Sequence, residues 1–358
     1  MPFPPEMQPK EISFPPLPLT IREIAENDKR RAILAPVAVC TPEIMRLAKA
    51  IRDWIATDLP GAAVYGKMRN GKTWGVEYAV AMLPHLLDMP LGIVRWEMDT
   101  EHERTPSRRE FIQDRLVQAG CYAISHRDIA QLKRRLYDHL EGIAMKAGTH
   151  RLLLVMDEAQ VLNLTHYLVL KGICIQLVKR KLMPFVLLVG HPELSDVSTG
   201  FVETSAVHLL ARFFCREHWF RGVAKEDFST VLPGFDEPDQ DDGTCSVQRE
   251  FPTAWNAGFR VAGLASSYIK AIEAIESKQQ VKGGLRLPME YMRISLAVLL
   301  QQCQESGKDP GKLEASDVLE AIHSSGFFKV LMYYTKAEEH ESDLDKNWFK
   351  HSTPKRKS

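Results

Sequence analysis

Apolar residues recur along this chain with two different periods. Short, nearly unbroken apolar runs lie at residues 62–65, 93–98, 152–156 and 185–189, and between them apolar positions return every three or four residues at 72–87, 107–118, 127–146 and 167–181. Runs this short predict strands buried on both faces of a parallel sheet, and the longer stretches predict amphipathic helices that cover it. Such alternation is the pattern of an α/β domain. Upstream, Thr41 followed by Pro42 reads as an N-cap and first-turn proline opening an amphipathic helix over 43–56. Downstream, residues 254–280, 288–305 and 314–323 keep helical periodicity with no strand pattern, which predicts a small all-helical second domain.

Punctuation between these stretches sets the expected organisation. Seven prolines fall within residues 1–20; they remove backbone donors and favour extended conformations, so residues 1–34 are expected to be a Pro-rich arm. The α/β domain is expected over 35–233. The run GFDEPDQDDG at 234–243 packs five acids with proline and glycine, the composition of a solvated loop, and predicts a linker over 234–253. A helical lid over 254–330 and a tail over 331–358, acidic first and basic at its end, complete the chain.

Composition narrows the classes. The chain has 358 residues, 45% of them hydrophobic, and its 46 basic side chains are balanced by 46 acidic ones. A disordered polyelectrolyte, a small disulfide scaffold and a globally basic nucleic-acid coat are excluded. Any DNA contact must be a local patch, and the concentration of acids at 234–243 and 338–345 leaves the α/β domain more basic than the total. The six cysteines stand 30 residues or more apart, so no zinc-ribbon spacing exists, and a reducing compartment is expected. No run of 18 apolar residues appears, which predicts a cytoplasmic protein with no membrane partner.

Chemistry enters at the end of the first strand. Gly66, Lys67, Met68, Arg69, Asn70, Gly71, Lys72 and Thr73 match GxxxxGK[ST] between an apolar strand and an amphipathic helix, with Trp74 next in line. In that setting the loop's N–H groups turn toward phosphates, Lys72 reaches the β and γ oxygens, and Thr73 offers its hydroxyl to Mg²⁺. The strand RLLLVMDE then delivers Asp157 to the Mg²⁺ water shell and Glu158 to the attacking water. ATP and Mg²⁺ are the expected cofactors. The fourth strand ends in Gly190-His191-Pro192-Glu193-Leu194, where His191 is either a sensor of the γ-phosphate or a turn residue. Arg212 and Arg216, one helical turn apart in ARFFCR, are candidates for an arginine that completes a neighbouring subunit's site; the alternative is a surface salt bridge.

Taken in order, the phosphate loop, LLLVMDEAQ, LLVGHPEL and the ARFF segment resemble the AAA+ P-loop ATPases of the TnsC/TniB class, regulators of heteromeric DNA transposons, over residues 35–330. The resemblance implies an ATP-hydrolysing homo-oligomer, ring or helical filament, that assembles on double-stranded DNA and connects a target-selection protein of the TniQ/TnsD kind to the transposase. It also implies a second arginine sensor at the lid, for which Arg286 in GGLRLP is the candidate. Arg104, Thr105, Arg108 and Arg109 combine basic and hydroxyl side chains suited to phosphate contact, and Lys133 and Arg134 form a further basic cluster, as do the residues at 179–181. Repeated along an oligomer, weak patches add by multivalency. An ExeA-like secretion or signalling ATPase acting on protein partners is the alternative class.

Overall fold

The computed structural model describes residues 39–99, 106–122, 128–204, 206–238, 243–281 and 284–335. The chain divides into two compact units, with the main break between Phe220 and Arg221 and further crossings between Glu43 and Ile44 and at the phosphate loop, where Arg69–Gly71 group with the second unit.

In the first unit the four predicted strands form as β1 (Gly61–Tyr65), β2 (Gly92–Glu97), β3 (Arg151–Asp157) and β4 (Met183–Gly190). A fifth, β5 (Glu217–Trp219), completes a sheet of order β2-β3-β4-β1-β5 with every pair parallel. Every residue of β1 and residues 152–156 of β3 are buried, as central strands of a covered parallel sheet must be. β2 departs from that expectation: its burial alternates, with Arg95 and Glu97 exposed, because it lies at the edge. β5 escaped the apolar pattern because EHW carries two polar residues in three.

Helices α1 (Pro42–Ala56, from Ile44 onward in this unit), α2 (Lys72–Leu87), α3 (Arg108–Gln118), α4 (Ile129–Lys146), α5 (Leu164–Lys179), α6 (Leu194–Glu203) and α7 (Val207–Phe213) flank the sheet. Their boundaries follow local chemistry. Ser107 and Glu110 form a capping box on α3, the Asp128 side chain accepts from the Ala130 N–H at the start of α4, and Asn163 and His166 cap α5 reciprocally. Leu132, Leu136, Leu140 and Ala144 of α4 form a buried stripe at four-residue spacing.

Arg115 is a charged residue in this core, with a side chain 0% exposed. Its guanidinium donates to the Glu97 carbonyl at 2.9 Å and contacts Met156 Sδ at 3.3 Å, pairs with Asp114, and lies over the Phe111 ring. It thereby braces the end of β2 against the residue preceding Asp157. No apolar periodicity could have shown this, since the residue reads as polar.

The second unit contains β6 (Val223–Ala224), α8 (Ala265–Gln279), β7 (Arg286–Leu287), α9 (Met289–Ser306) and α10 (Ala315–Ser324). It is helical apart from the antiparallel β6–β7 ribbon. The stretch 254–280 is not one helix: a short helix ends near Gly258, whose φ of +99° favours glycine, and a 3-10 turn at Val261–Leu264 precedes α8. The described residues of the expected linker, 234–238 and 243–253, belong to this unit, where the Asp236 carboxylate accepts from the Val261 and Ala262 N–H groups at 2.8 and 2.9 Å. All six cysteines are free thiols. Among the described residues no helix is long and apolar enough to cross a membrane.

Candidate active site

Parallel pairing brings three strand ends together. Tyr65 of β1 lies opposite Gly190 of β4, and Met156 of β3 opposite Leu188. The phosphate loop, the acidic pair and His191 therefore emerge at the same, C-terminal edge, where ligands bind in sheets of this kind.

The loop leaves β1 at Gly66, whose N–H donates to the Gly190 carbonyl at 3.2 Å. A Cβ at Gly66 would stand 2.6 Å from Lys72 Cδ and 2.8 Å from the Phe220 carbonyl oxygen, so the lysine side chain runs back along the loop only because residue 66 has none. Gly71 has φ of +86°. Lys67 and Lys72 are buried, while Met68, Thr73 and Trp74 are exposed. Within the second unit, Arg69 pairs with Glu290, accepts the Glu290 N–H on its carbonyl, and sets its guanidinium over the Tyr291 ring.

Lys72 Nζ donates to the Lys67 carbonyl at 3.0 Å and stands 3.4 Å from His191 Nδ1. Burial pulls its pKa down to about 8, against the opposing pull of Glu158, Asp157 and Glu193. A buried ammonium with so few acceptors is matched to a polyanion. Thr73 Oγ1 donates to Asp157 Oδ2 at 3.0 Å, and Asp157 Oδ1 accepts the Glu158 N–H at 2.9 Å. Burial raises the Asp157 pKa; these hydrogen bonds hold it back. Two oxygen-bearing side chains in contact at the loop's end are the hard ligand set that a hydrated Mg²⁺ accepts.

Glu158 lies in the left-handed region, φ 52°, which turns the chain sharply after β3. Its carboxylate is 3.6 Å from His191 Nε2, and both side chains are about a quarter exposed, at 26% and 25%. Gln160 joins them: its Nε2 donates to Glu158 Oε2 at 2.5 Å, and its Oε1 accepts the His191 N–H at 3.1 Å. The motif DEAQ contained Gln160, yet sequence pattern alone assigned it no task.

The remaining candidates lie elsewhere. Arg212 lies in the last turn of α7 and its guanidinium meets the Cys174 thiol. Arg216 is not one helical turn along from it: α7 stops at Phe213, and exposed Arg216 precedes β5 with Nη1 donating to the Cys215 carbonyl. Arg286 sits on β7, with Nη1 3.4 Å from the Gly222 carbonyl. Arg108 and Arg109 are exposed in the first turn of α3; on α4, which packs against α3, Arg134 is exposed and Lys133 half-buried. Arg104 and Thr105 lie outside the described residues. Of the cluster at 179–181, Arg180 is engaged by Asp138 and Glu141.

Two solved structures of the ORC2 protein of Aeropyrum pernix are similar to this chain. With ORC2 in its ADPNP-ADP complexes the identity is 14% and the TM-score 0.51, covering 88% of this chain and 70% of that one. With the ADP form the identity is 14% and the TM-score 0.51, covering 78% and 67%. No protein-family model matches the chain, and no curated protein is similar to it. The fold is that of an AAA+ P-loop NTPase.

Proposed function

We propose that this chain is an ATPase of the TnsC/TniB class, which assembles as a homo-oligomer on duplex DNA, connects a target-selection protein to a transposase, and uses hydrolysis to release the assembly. The observation that carries the hydrolytic part is the meeting of Lys72, Thr73, Asp157, Glu158 and His191 at one edge of the sheet. The transposition part rests on the motif order, from the phosphate loop through DEAQ and GHPEL to ARFF.

Each side chain then has a task. Loop N–H groups and Lys72 bind the β- and γ-phosphates, and the burial that lowers the Lys72 pKa makes the pairing strong. Glu158 orients and polarises the attacking water, and His191, between Lys72 and Glu158, reads the γ-phosphate. Thr73 and Asp157 would hold Mg²⁺, which supplies charge neutralisation across the phosphates when bound. Arg212, or the more exposed Arg216, completes a neighbour's site, and Arg286 serves as the second arginine sensor. Arg108, Arg109, Lys133 and Arg134, with Arg104 and Thr105, contact DNA phosphates without reading bases.

The test is steady-state phosphate release with and without duplex DNA at low salt. Turnover that duplex stimulates, and that Lys72→Ala and Glu158→Gln each lower by about 100-fold or more, supports the reading. A chain that hydrolyses ATP but never associates with duplex at low salt falls to the class acting on protein partners.

A further inference from the structure

Gln160 ties the acidic pair to the backbone of the sensor strand through one side chain. Both ends of its amide are used. The Nε2 donor is spent on Glu158 Oε2 and the Oε1 acceptor on the backbone N–H of His191. A carboxamide is the side-chain group that supplies a donor and an acceptor on opposite sides of one rigid plane. Local backbone aims it there: the left-handed Glu158 turns the chain into the 3-10 turn Ala159–Val161, and the Val161 N–H closes that turn on the Glu158 carbonyl. Gly190 completes the arrangement from the other side, since a Cβ there would stand 2.5 Å from Gln160 Oε1.

The geometry points to Gln160 as a positioning residue for hydrolysis: it fixes the Glu158 carboxylate relative to the backbone of His191, so that the water-orienting group and the phosphate-reading strand end are held as one unit. The assignment rests on the ATPase reading above. Gln160 makes none of these bonds to Lys72 or Thr73, so its loss is expected to leave the main phosphate contacts in place. What it controls is the angle at which Glu158 meets water, and a displacement of about 1 Å in such a group costs on the order of 100-fold in rate. The same logic gives Gly190 its constraint: the glycine is needed to leave room for the amide.

Phosphate release and ATP binding are measured on the full chain for the wild type, Gln160→Ala, Gly190→Ala and the double variant. Gln160→Ala is expected to lower kcat by about 10- to 100-fold with the ATP dissociation constant unchanged within about twofold. Gly190→Ala is expected to do the same, because its new methyl group displaces the Gln160 amide. The double variant should be little slower than Gln160→Ala alone, since alanine at 160 removes the 2.5 Å approach and leaves only the softer contacts at 3.1 Å to Leu194 Cδ2 and 3.4 Å to the residue 160 nitrogen; two unrelated packing defects would multiply instead. Multiplying losses, or a loss of ATP binding equal to the loss of kcat, overturn the assignment. So does full kcat in Gln160→Ala beside an active wild type. A wild type that binds ATP yet releases no phosphate overturns the hydrolysis reading and this assignment together.

Discussion

Lys72 shows how much of a nucleotide site is set by one burial. Its ordinary pKa is 10.5, and burial brings it to about 8. On the proposed function, ATP meets an ammonium already charged below pH 8, whereas above pH 8 binding must also recruit a proton. ATP affinity is therefore expected to fall as pH rises past about 8, with proton uptake visible as a dependence of the calorimetric binding enthalpy on buffer ionisation enthalpy. The sign for stability is opposite. Between about 8 and 10.5 the unfolded chain holds more protons on this lysine than the folded one, so the nucleotide-free protein gains stability with rising pH there. Lys72→Ala should abolish both dependences, and proton uptake that survives it would place the titrating group elsewhere. At this scale the sequence was legible where a motif fixes the residue type: Lys72, Thr73, Asp157, Glu158 and His191 all meet. It was silent on Gln160 and Arg115, whose roles depend on what approaches them from distant strands and helices.

Elements were legible where one period dominates. The strands at β1, β3 and β4 and the helices α2 and α4 stand within two residues of their apolar patterns, because each buries a continuous run or stripe. The failures share a cause. β5 has three residues and a polar majority, the β6–β7 ribbon has two residues per strand, and Arg216 sits beyond a helix that the pattern extended too far. Two substitutions probe element packing. A Cβ at Gly61 would stand 2.6 Å from the Arg212 carbonyl oxygen and 2.9 Å from that of Val186. Both are backbone atoms that cannot rotate away, so Gly61→Ala is expected to cost about 1–3 kcal/mol and lower the denaturant midpoint, despite alanine's lower chain entropy. In the second unit, Asp236→Ala would strip the acceptor from the Val261 and Ala262 N–H groups, at a cost of about 1–3 kcal/mol. An unchanged midpoint in either variant would show that the backbone relaxes around the site.

At the scale of the whole molecule, zero net charge and DNA association are compatible if binding is a property of the assembly. One copy offers exposed Arg108, Arg109 and Arg134 in the described part of the first unit. Such a set is too small to hold duplex at physiological salt by itself, and it becomes effective when an oligomer repeats it along the strand. On the proposed function, the nucleotide site is the switch and ATP gates assembly on DNA. The most direct measurement of that gating is electron microscopy of the full chain with duplex DNA, with and without ATP and Mg²⁺, beside Lys72→Ala. Ordered rings or filaments are expected on DNA with ATP and Mg²⁺ alone, absent from Lys72→Ala and longer-lived in Glu158→Gln; assembly on duplex that is indifferent to nucleotide would rule out an ATP-gated switch.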